Sequence, residues 1–535
     1  MSSSLKYVVF ACLAVSFLYV RIMKTLNVDN YTTTYIYIAI LSFFYLYYEL
    51  DYKRRRLPKG PTPWLVAGNV PAFAQAKNVD DLFQSWKRDF GGIFTVWIGP
   101  IPLVMVSDLP TIKKYFIQHA DAFSNRWRNF VTDSIMEGSN GIVQIDGDKW
   151  REQRRFALHT LRDFGVGRPL MEEMITMEVT NLMSHMEKTC GFEGKEIRLC
   201  PSIAVCVGNI INNMLFGIRF NQGNSYMHRL HTLLDDQSHT VMKPIMGAYI
   251  AFPITSKIPV INGEWNHLMG IKKELLSFLE TQIKDHRDNW REEMIEQEPE
   301  DLTFAYMIEV EKRKRNGEDV GFFDDKQLTM LLLDLFFAGM ETTVTTLKWA
   351  FLLMAKNKEV QRKVQAELDS IGQPMVEIHH RTKLPYTQAT INEIQRVANI
   401  LPINLLRTVA EDIEIDGHSF HKGDLIIPQI SILMNDPEIF KDPHIFNPSR
   451  FLDTENNVKR IDEFLPFSIG RRQCLGESLA RAELYLVFAN LVKNFNFEVT
   501  QDVSTERVIG LTVSPPDYAC HITKRGCDQN RNIVV

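Results

Sequence analysis

Asp325 to Lys356 runs for 32 residues without a proline, and it starts from the acidic pair Asp324-Asp325, which favours a helix N-terminus. At 1.5 Å per residue such a helix extends about 48 Å, enough to cross a whole domain. The chain around it has to close into one large body. Helical patterns elsewhere agree, at roughly 147–161, 170–189, 200–216, 263–289, 357–370 and 386–398. Residues 93–106, rich in β-branched and aromatic types around Gly99-Pro100, predict a hairpin, and short strands are expected near 403–415 and 424–432. A Pro/Asn-rich coil around 434–470 leads into a last helix at about 475–493. No internal repeat, low-complexity tract or βαβ alternation appears after residue 64. The expected fold class is mainly α: a single large α-rich domain over 64–535 with small β-sheets.

The first fifty residues have a different character. Tyr7 to Val20 carries no charge, Arg21 and Lys24 interrupt, and Tyr31 to Tyr48 is again uncharged. The second stretch spans about 27 Å as a helix, close to the roughly 30 Å hydrocarbon core of a bilayer; the first spans about 21 Å. Tyr47, Tyr48 and Tyr52 stand where an interfacial aromatic belt would, and Lys53-Arg54-Arg55-Arg56 comes directly after. A basic cluster after a span keeps the rest of the chain in the cytosol. No small-residue cleavage site precedes the second run, which argues against a signal peptide. Residues 1–52 therefore read as a membrane anchor with one or two apolar segments, 7–20 and 31–48. Residues 53–63, with Pro58, Pro61 and Pro63, read as a basic, proline-rich hinge.

Composition removes other classes. Sixty Lys plus Arg against 65 Asp plus Glu gives a net charge of −5, with 45% hydrophobic residues. That is neither a disordered chain nor a polybasic nucleic-acid binder. The seven cysteines are scattered and form no CxxC pair, so neither a disulfide framework nor a zinc ribbon is indicated. Neither G-x-G-x-x-G nor G-x-x-x-x-G-K-[ST] occurs, so the usual glycine cradles for a dinucleotide or a triphosphate are missing and electrons for any redox chemistry must come from a partner. His228 and His231 lie three apart on an expected helix without a third ligand, which reads as a solvated face.

One string carries chemistry: Phe467-Ser-Ile-Gly470-Arg-Arg472-Gln-Cys474-Leu-Gly476. Its cysteine sits between glycines, two arginines precede it, and an apolar helix begins just after. A thiolate at a helix N-terminus near two cations is expected to have a depressed pKa and to bind a soft metal. Iron–sulfur clusters and structural zinc sites need more sulfur than one cysteine supplies, whereas a single thiolate suits haem iron, where its electron donation favours cleavage of an O–O bond.

The F-x-x-G-x-R-x-C-x-G string resembles the haem-binding loop of the cytochrome P450 family, with Phe467, Gly470, Arg472, Cys474 and Gly476 all in place. The resemblance extends over nearly the whole chain. Glu393-x-x-Arg396, an i,i+3 pair on one helix face, together with Arg450 of Pro448-Ser449-Arg450-Phe451, is similar to the family's Glu–Arg–Arg set that pins the cysteine-bearing coil; Ser449 departs from the usual Glu. Trp150-x-x-x-Arg154 resembles the family's haem-propionate site on an early helix, and Arg407 and Arg472 are similar candidates, with Arg126 a further one. Ala338-Gly339-Met340-Glu341-Thr342-Thr343, in the middle of the long helix, resembles the oxygen-binding motif; by that resemblance Thr342 hydrogen-bonds the bound oxygen and Glu341 relays protons through water. Such a glycine costs about 1 kcal/mol of helix propensity and a threonine can bond back to a preceding carbonyl, which together can open a groove. By the residues alone the segment could equally be a packed helix with a glycine contact.

The resemblance implies a haem b (iron protoporphyrin IX) monooxygenase. Cys474 would be the metal ligand, and Trp150, Arg154, Arg407, Arg472, Phe467, Gly470 and Gly476 would line the cofactor. It is closest to animal enzymes of the endoplasmic reticulum membrane that oxidise drugs and lipids, with a catalytic domain facing the cytosol; 392–396 and 401–404 are similar to nematode members. It implies NADPH–cytochrome P450 reductase as electron donor, cytochrome b5 as a further partner, O2 and an apolar small molecule as substrates, and no nucleic acid. Lys149, Arg151, Arg155, Arg471, Lys459 and Arg460 are candidates for the reductase-docking face, and by the residues alone could equally form a solvated face. Substrate contacts are expected in 120–140 and 215–262, at Phe336 and Phe337, after Arg396 and near Leu511. Two rivals stay open: a haem-thiolate isomerase or dehydratase of lipid peroxides, and a non-catalytic haem protein that carries apolar ligands.

Overall fold

The computed structural model describes residues 30–48, 52–64, 67–76, 78–164, 169–190 and 193–526; the apolar stretch at 7–20 lies outside them. The chain forms two compact units, one within Met1–Met105 joined by Glu411–Asp424, the other built from Val106–Ala410 and Leu425–Val535. The first unit thus takes in residues expected to belong to the body that starts at 64.

In the first unit α1 (Asn30–Tyr47) coincides with the second apolar stretch, and it turns the rings of Tyr35 and Phe43 outward, 71% and 66% exposed. Helix α2 (Val79–Phe90) starts where the Asn78 side chain accepts the Asp80 N–H at 3.0 Å and stops at Gly91, whose φ of 91° only glycine adopts readily. Its Phe83 and Trp86 bury themselves against Phe73, with ring centroids 5.8 and 5.5 Å away. The expected hairpin occupies Ile93–Ile98 and Ile101–Val106, and a second one pairs Ile413–Ile415 with His418–Phe420. Arg56 binds the Asp424 carboxylate at 2.8 Å and Lys53 donates to the Pro100 carbonyl at 2.7 Å, so the basic cluster is partly occupied within its own unit.

The second unit is a helical assembly: α3 (Gly147–Asp163), α4 (Pro169–Cys190), α5 (Cys200–Phe216), α6 (Ser225–Thr240), α7 (Gly263–Asp288), α8 (Asp325–Lys356), α9 (Pro385–Ala398) and α10 (Glu477–Asn494). The long helix α8 is its axis. The Asp324 carboxylate caps it by accepting the Gln327 N–H at 2.8 Å, and Leu331, Leu332, Met340, Leu347 and Phe351 bury it along its length. By length and composition α8 could cross a membrane, yet 61% of its most apolar stretch is buried in protein, which marks it as a core helix. Two glycines set its spacing from α5. A Cβ on Gly339 would stand 2.6 Å from Ile211 Cδ1 of α5, and a Cβ on Gly208 of α5 would overlap Met227 of α6 and touch Met340 of α8 at 3.4 Å.

Two small sheets complete the unit. Cys520–Lys524 pairs antiparallel with Lys195–Ile197 and Phe495–Glu498, with Ile522 opposite Phe497. Arg407–Thr408 lies between Asn125–Arg126 and Leu425–Pro428, in a register that sets Arg126 directly opposite Arg407. The strand expected over 424–432 stops at Pro428, which has no N–H to continue a ladder, and Ile430–Met434 turns into a helix instead. Leu302–Arg315 is a helix beyond those expected, started by Asp301 accepting the Phe304 N–H at 2.9 Å. His231 is half-buried, less solvated than expected, and burial pushes its imidazole down to about 4.

Candidate active site

Residues 467–476 form a tight loop ahead of α10. The Cys474 N–H donates to the Phe467 carbonyl and the Gln473 N–H to the Gly470 carbonyl, both at 3.0 Å. Ser468 and Gly470 both have positive φ, 65° and 79°, and a side chain on Gly470 would overlap the Phe116 carbonyl, so glycine is required there on two counts. The Phe467 ring lies under the Arg481 guanidinium at 4.7 Å. Gly476 faces open space, and its carbonyl accepts the Ala480 N–H in the first turn of α10.

Cys474 is exposed and lines a cavity of about 330 Å³. Its thiol is not depressed as expected. Burial pushes it up, while the Gly476 N–H and the more distant Arg154 and Arg481 charges oppose that shift. The two arginines before it are turned away from the sulfur: Arg471 pairs with Asp121, and Arg472 donates to the Ser124 carbonyl at 2.8 Å, the Ile145 carbonyl at 2.7 Å and Asp146 at 2.9 Å.

The same cavity collects the other arginines. Trp150 and Arg154 of α3 line it one turn apart, as their i,i+4 spacing implies, and Arg154 donates to the Gln473 carbonyl at 2.7 Å. The Trp150 ring carries the Arg472 guanidinium at 3.9 Å and the Arg154 guanidinium at 5.7 Å. Arg126 donates to the Leu405 and Val143 carbonyls at 2.9 and 3.2 Å. Arg407 is 2% exposed, stacks on Phe116 at 4.7 Å, and leaves its Nε buried without a partner. Burial and mutual repulsion lower these cations: Arg407 falls well below the ordinary guanidinium range, Arg126 to about 10 and Arg472 to about 8.

Helix α8 passes the cavity with Leu335, Ala338, Gly339, Thr342, Thr343 and Thr346. The Thr342 hydroxyl donates back to the Ala338 carbonyl at 2.7 Å. Glu341 does not line the cavity. It is 1% exposed, and its Oε1 accepts from Thr512 at 2.7 Å and from Thr345 at 3.3 Å. Burial pushes the Glu341 carboxyl up to about 7 against those two donors. Gly339 both lines the cavity and packs on α5, so the groove and the packing contact are features of one residue.

Away from the cavity, Glu393, Arg396 and Arg450 meet as the sequence implied. Both Glu393 and Arg396 are 0% exposed and form a two-point pair at 2.7 and 2.9 Å, and Arg450 Nε reaches the same carboxylate at 2.9 Å. The guanidiniums then hold the carbonyls of Met434 and Pro443 (Arg396) and of Lys441 and Ile445 (Arg450), at 2.7 to 3.0 Å. Ser449, where the family pattern has Glu, is held through its N–H by Asn447.

A family model described as Cytochrome P450 matches residues 58–520 of this chain. The chain belongs to the cytochrome P450 family. It is 35% identical to cytochrome P450 2D10 of Mus musculus over 465 residues, 86% of this chain and 90% of that one. It is 36% identical to cytochrome P450 2J2 of Homo sapiens over 478 residues (88% and 92%), and 34% identical to cytochrome P450 2J5 of Mus musculus over 489 (90% and 94%). As a cytochrome P450 it is an oxidoreductase, a haem-thiolate monooxygenase with haem b as cofactor.

The cavity of this cytochrome P450 fits that group. Like charges directly opposite across a sheet are destabilising, yet Arg126 and Arg407 stand so, and the orphaned Arg407 Nε and the lowered Arg472 add to the excess of buried cation. A cofactor with two propionates supplies the anions that this arrangement lacks. A single thiol on the same cavity suits iron.

Sequence reasoning missed two acids on the cavity. Asp334 accepts the N–H groups of Ile142 and Val143 at 2.7 and 2.9 Å, tying the 136–146 loop to α8, and burial pushes it up to about 6. Glu483 of α10 accepts from Thr343 at 3.2 Å, leaves Oε1 without a partner, and is pushed up to about 8 by burial. The available signal was a lone acid in an apolar helical run, at 334 among Leu331–Phe337 and at 483 among Leu479–Val492.

Proposed function

We propose that this enzyme is anchored in the endoplasmic reticulum membrane with its catalytic unit in the cytosol, and that it inserts one atom of O2 into an apolar organic substrate with electrons from NADPH–cytochrome P450 reductase. Cytochrome b5 is a second electron donor in this reading. The observation that carries it is Cys474, a single thiol on a largely apolar cavity ringed by buried arginines, with Thr342 on the same cavity. Cys474 would ligate the iron, Trp150, Arg154, Arg407 and Arg472 would hold the propionates, and Phe467, Gly470 and Gly476 shape the loop that carries the thiol. When bound, the haem supplies the reductive activation of O2 and the transfer of one oxygen atom, with the other leaving as water. Leu335, Leu401 and Leu479 exclude water and favour an apolar substrate. Glu393, Arg396 and Arg450 hold the coil upstream of the thiol.

The remaining task of the chain is proton supply. Thr342 holds a proton at Oγ1 beside the cavity and passes it on, and Glu341 replenishes it through water. A carboxyl near 7 both holds and releases a proton at neutral pH. General acid catalysis contributes about 10²–10⁴-fold, so Thr342→Ala should lower product formed per NADPH by about tenfold or more and raise hydrogen peroxide. Iodosylbenzene, which delivers oxygen without proton transfer, should restore much of the product. Equal coupling in parent and variant would return Thr342 to a packing role. Substrate-dependent NADPH consumption with added reductase, ending in an oxygenated product, distinguishes this enzyme from an isomerase and from a carrier.

Support for the anchor comes from the outward rings of α1 and from the basic residues just beyond it. A second apolar surface lies around 252–260, where Phe252 and Ile254 are 66% and Val260 is 90% exposed. Deleting residues 1–50 should weaken sedimentation with microsomal membranes while haem incorporation survives; serine at Phe252, Ile254 and Val260 should weaken it further. A truncated protein that takes up no haem would show that the N-terminus is part of the fold. For reductase docking the charge is thinner than the sequence implies: Arg151 pairs with Asp148, Arg460 with Asp462 and Arg471 with Asp121, and Lys149 donates inward to the Ser139 carbonyl and Asn140, so the exposed Arg155 and Lys459 carry more of the expected steering.

A further inference from the structure

The Glu341 carboxyl is tied to a buried hydroxyl pair that neither the motif nor the cavity explains. Thr512 Oγ1 donates to Glu341 Oε1 at 2.7 Å, while Glu341 Oε2 is buried with no partner. Thr512 is in turn fixed on α6: its N–H donates to Ser238 Oγ at 3.1 Å, and the two hydroxyl oxygens are 3.1 Å apart. The Leu511 N–H donates to the Ser238 carbonyl at 2.9 Å, and His239 Nδ1 lies 2.8 Å from the Ile509 carbonyl. Segment 509–512 is thus stapled to the last turn of α6 and reaches the middle of α8. Thr512 and Ser238 are 2% and 1% exposed. A hydroxyl both donates and accepts, so this pair can hold a carboxyl in either protonation state. An unsatisfied carboxyl oxygen beside it is costly and is retained against that cost.

We propose that Thr512 and Ser238 are positioning residues for Glu341, holding its carboxyl on the α6 side of α8 between turnovers and releasing it toward Thr342 for delivery of its proton. The inference rests on the reading of Glu341 as proton source. Each cycle moves one proton from water to the Glu341 carboxylate and one from the carboxyl to water at Thr342, with no electron transferred. The ionisable groups around the carboxyl are Asp235 and His239 of α6, whose own contact is 3.4 Å, with Lys348 of α8 paired to Asp517 at 2.7 Å further along. Asp235 favours the protonated carboxyl and His239 the ionised one.

The test uses the full-length holoenzyme with reductase and a substrate that the parent hydroxylates, reading product per NADPH from pH 6 to 9. In the parent, coupling falls as pH rises through about 7, because Glu341 must be protonated to deliver. In Thr512→Val the plateau should fall about fivefold, the effect of one lost hydrogen bond. The pH of the fall should move upward, since Thr512 no longer favours the carboxylate. KM and the reduced carbon-monoxide band should stay as in the parent, because Thr512 does not line the cavity. Thr512→Ser should restore both coupling and profile. Ser238→Ala should reproduce a weaker form of the same effect, and it serves as the test if the Thr512→Val protein loses haem. A parental profile in Thr512→Val and Ser238→Ala, alongside a lowered and pH-independent coupling in Glu341→Gln, overturns the positioning role alone. Parental coupling and profile in Glu341→Gln overturn the proton-source reading beneath it.

Discussion

Replacing Cys474 by serine is expected to abolish the long-wavelength absorption of the reduced carbon-monoxide complex and to bring monooxygenation down to background. Among the cysteines of the described residues, only Cys474 lines the cavity, and it is exposed. Serine at Cys190, Cys200, Cys206 or Cys520 should leave the band in place. Cys190, Cys206 and Cys520 are 5%, 0% and 0% exposed. None of these four lines the cavity, so none can offer its sulfur to a group bound there. An unchanged spectrum in Cys474→Ser would refute the ligand assignment. Loss of the band in one of the other four, with haem content intact, would move it.

Arg396→Leu is expected to be the most damaging change outside the cavity. It leaves the Glu393 carboxylate fully buried with Arg450 and the Asn447 N–H as remaining partners, and it frees the carbonyls of Met434 and Pro443. Removing one partner of a buried ion pair costs about 3–5 kcal/mol, a large part of the 5–15 kcal/mol that holds a typical domain together. The holoprotein should melt about 3–5 °C lower and retain less haem after purification. Arg450→Ala, at a side chain 9% exposed and with Arg396 still in place, should cost less. Equal melting temperatures for parent and Arg396→Leu would reduce the pair to a negligible contact. The i,i+3 spacing cannot separate this pair from Glu359–Arg362, whose side chains are 75% and 69% exposed. Only burial makes the difference, because a surface pair is worth little.

How much of the site was legible depended on whether the chemistry lay in one stretch of chain. The loop at 467–476 could be read directly, because a helix start, two special backbone positions and a thiol fall within ten residues. The pair Trp150 and Arg154 was legible for the same reason, one helical turn apart. Asp334 and Glu483 were not, since an isolated acid in an apolar helix looks alike whether it faces a cavity, a loop or another helix. The charges next to Cys474 were misread: adjacency along the chain placed Arg471 and Arg472 beside the sulfur, whereas the tight loop sends them to Asp121 and Asp146.

The strands show the same limit. Residues 424–432 had the composition of one strand, and Pro428 ended it where the ladder lost its donor. The helices followed the pattern closely, α8 over Asp325–Lys356 above all, because helix hydrogen bonds are local and capping, propensity and proline placement act within a few residues. By itself the sequence determined the long axial helix, the thiol loop and the family to which the chain belongs. The tertiary structure alone decided which acids face the cavity, that Arg126 stands opposite Arg407, and that Glu341 turns to Thr512. Those are contacts between segments as much as 281 residues apart, such as Arg126 and Arg407, where burial and register, unlike local propensity, leave no mark on neighbouring residues.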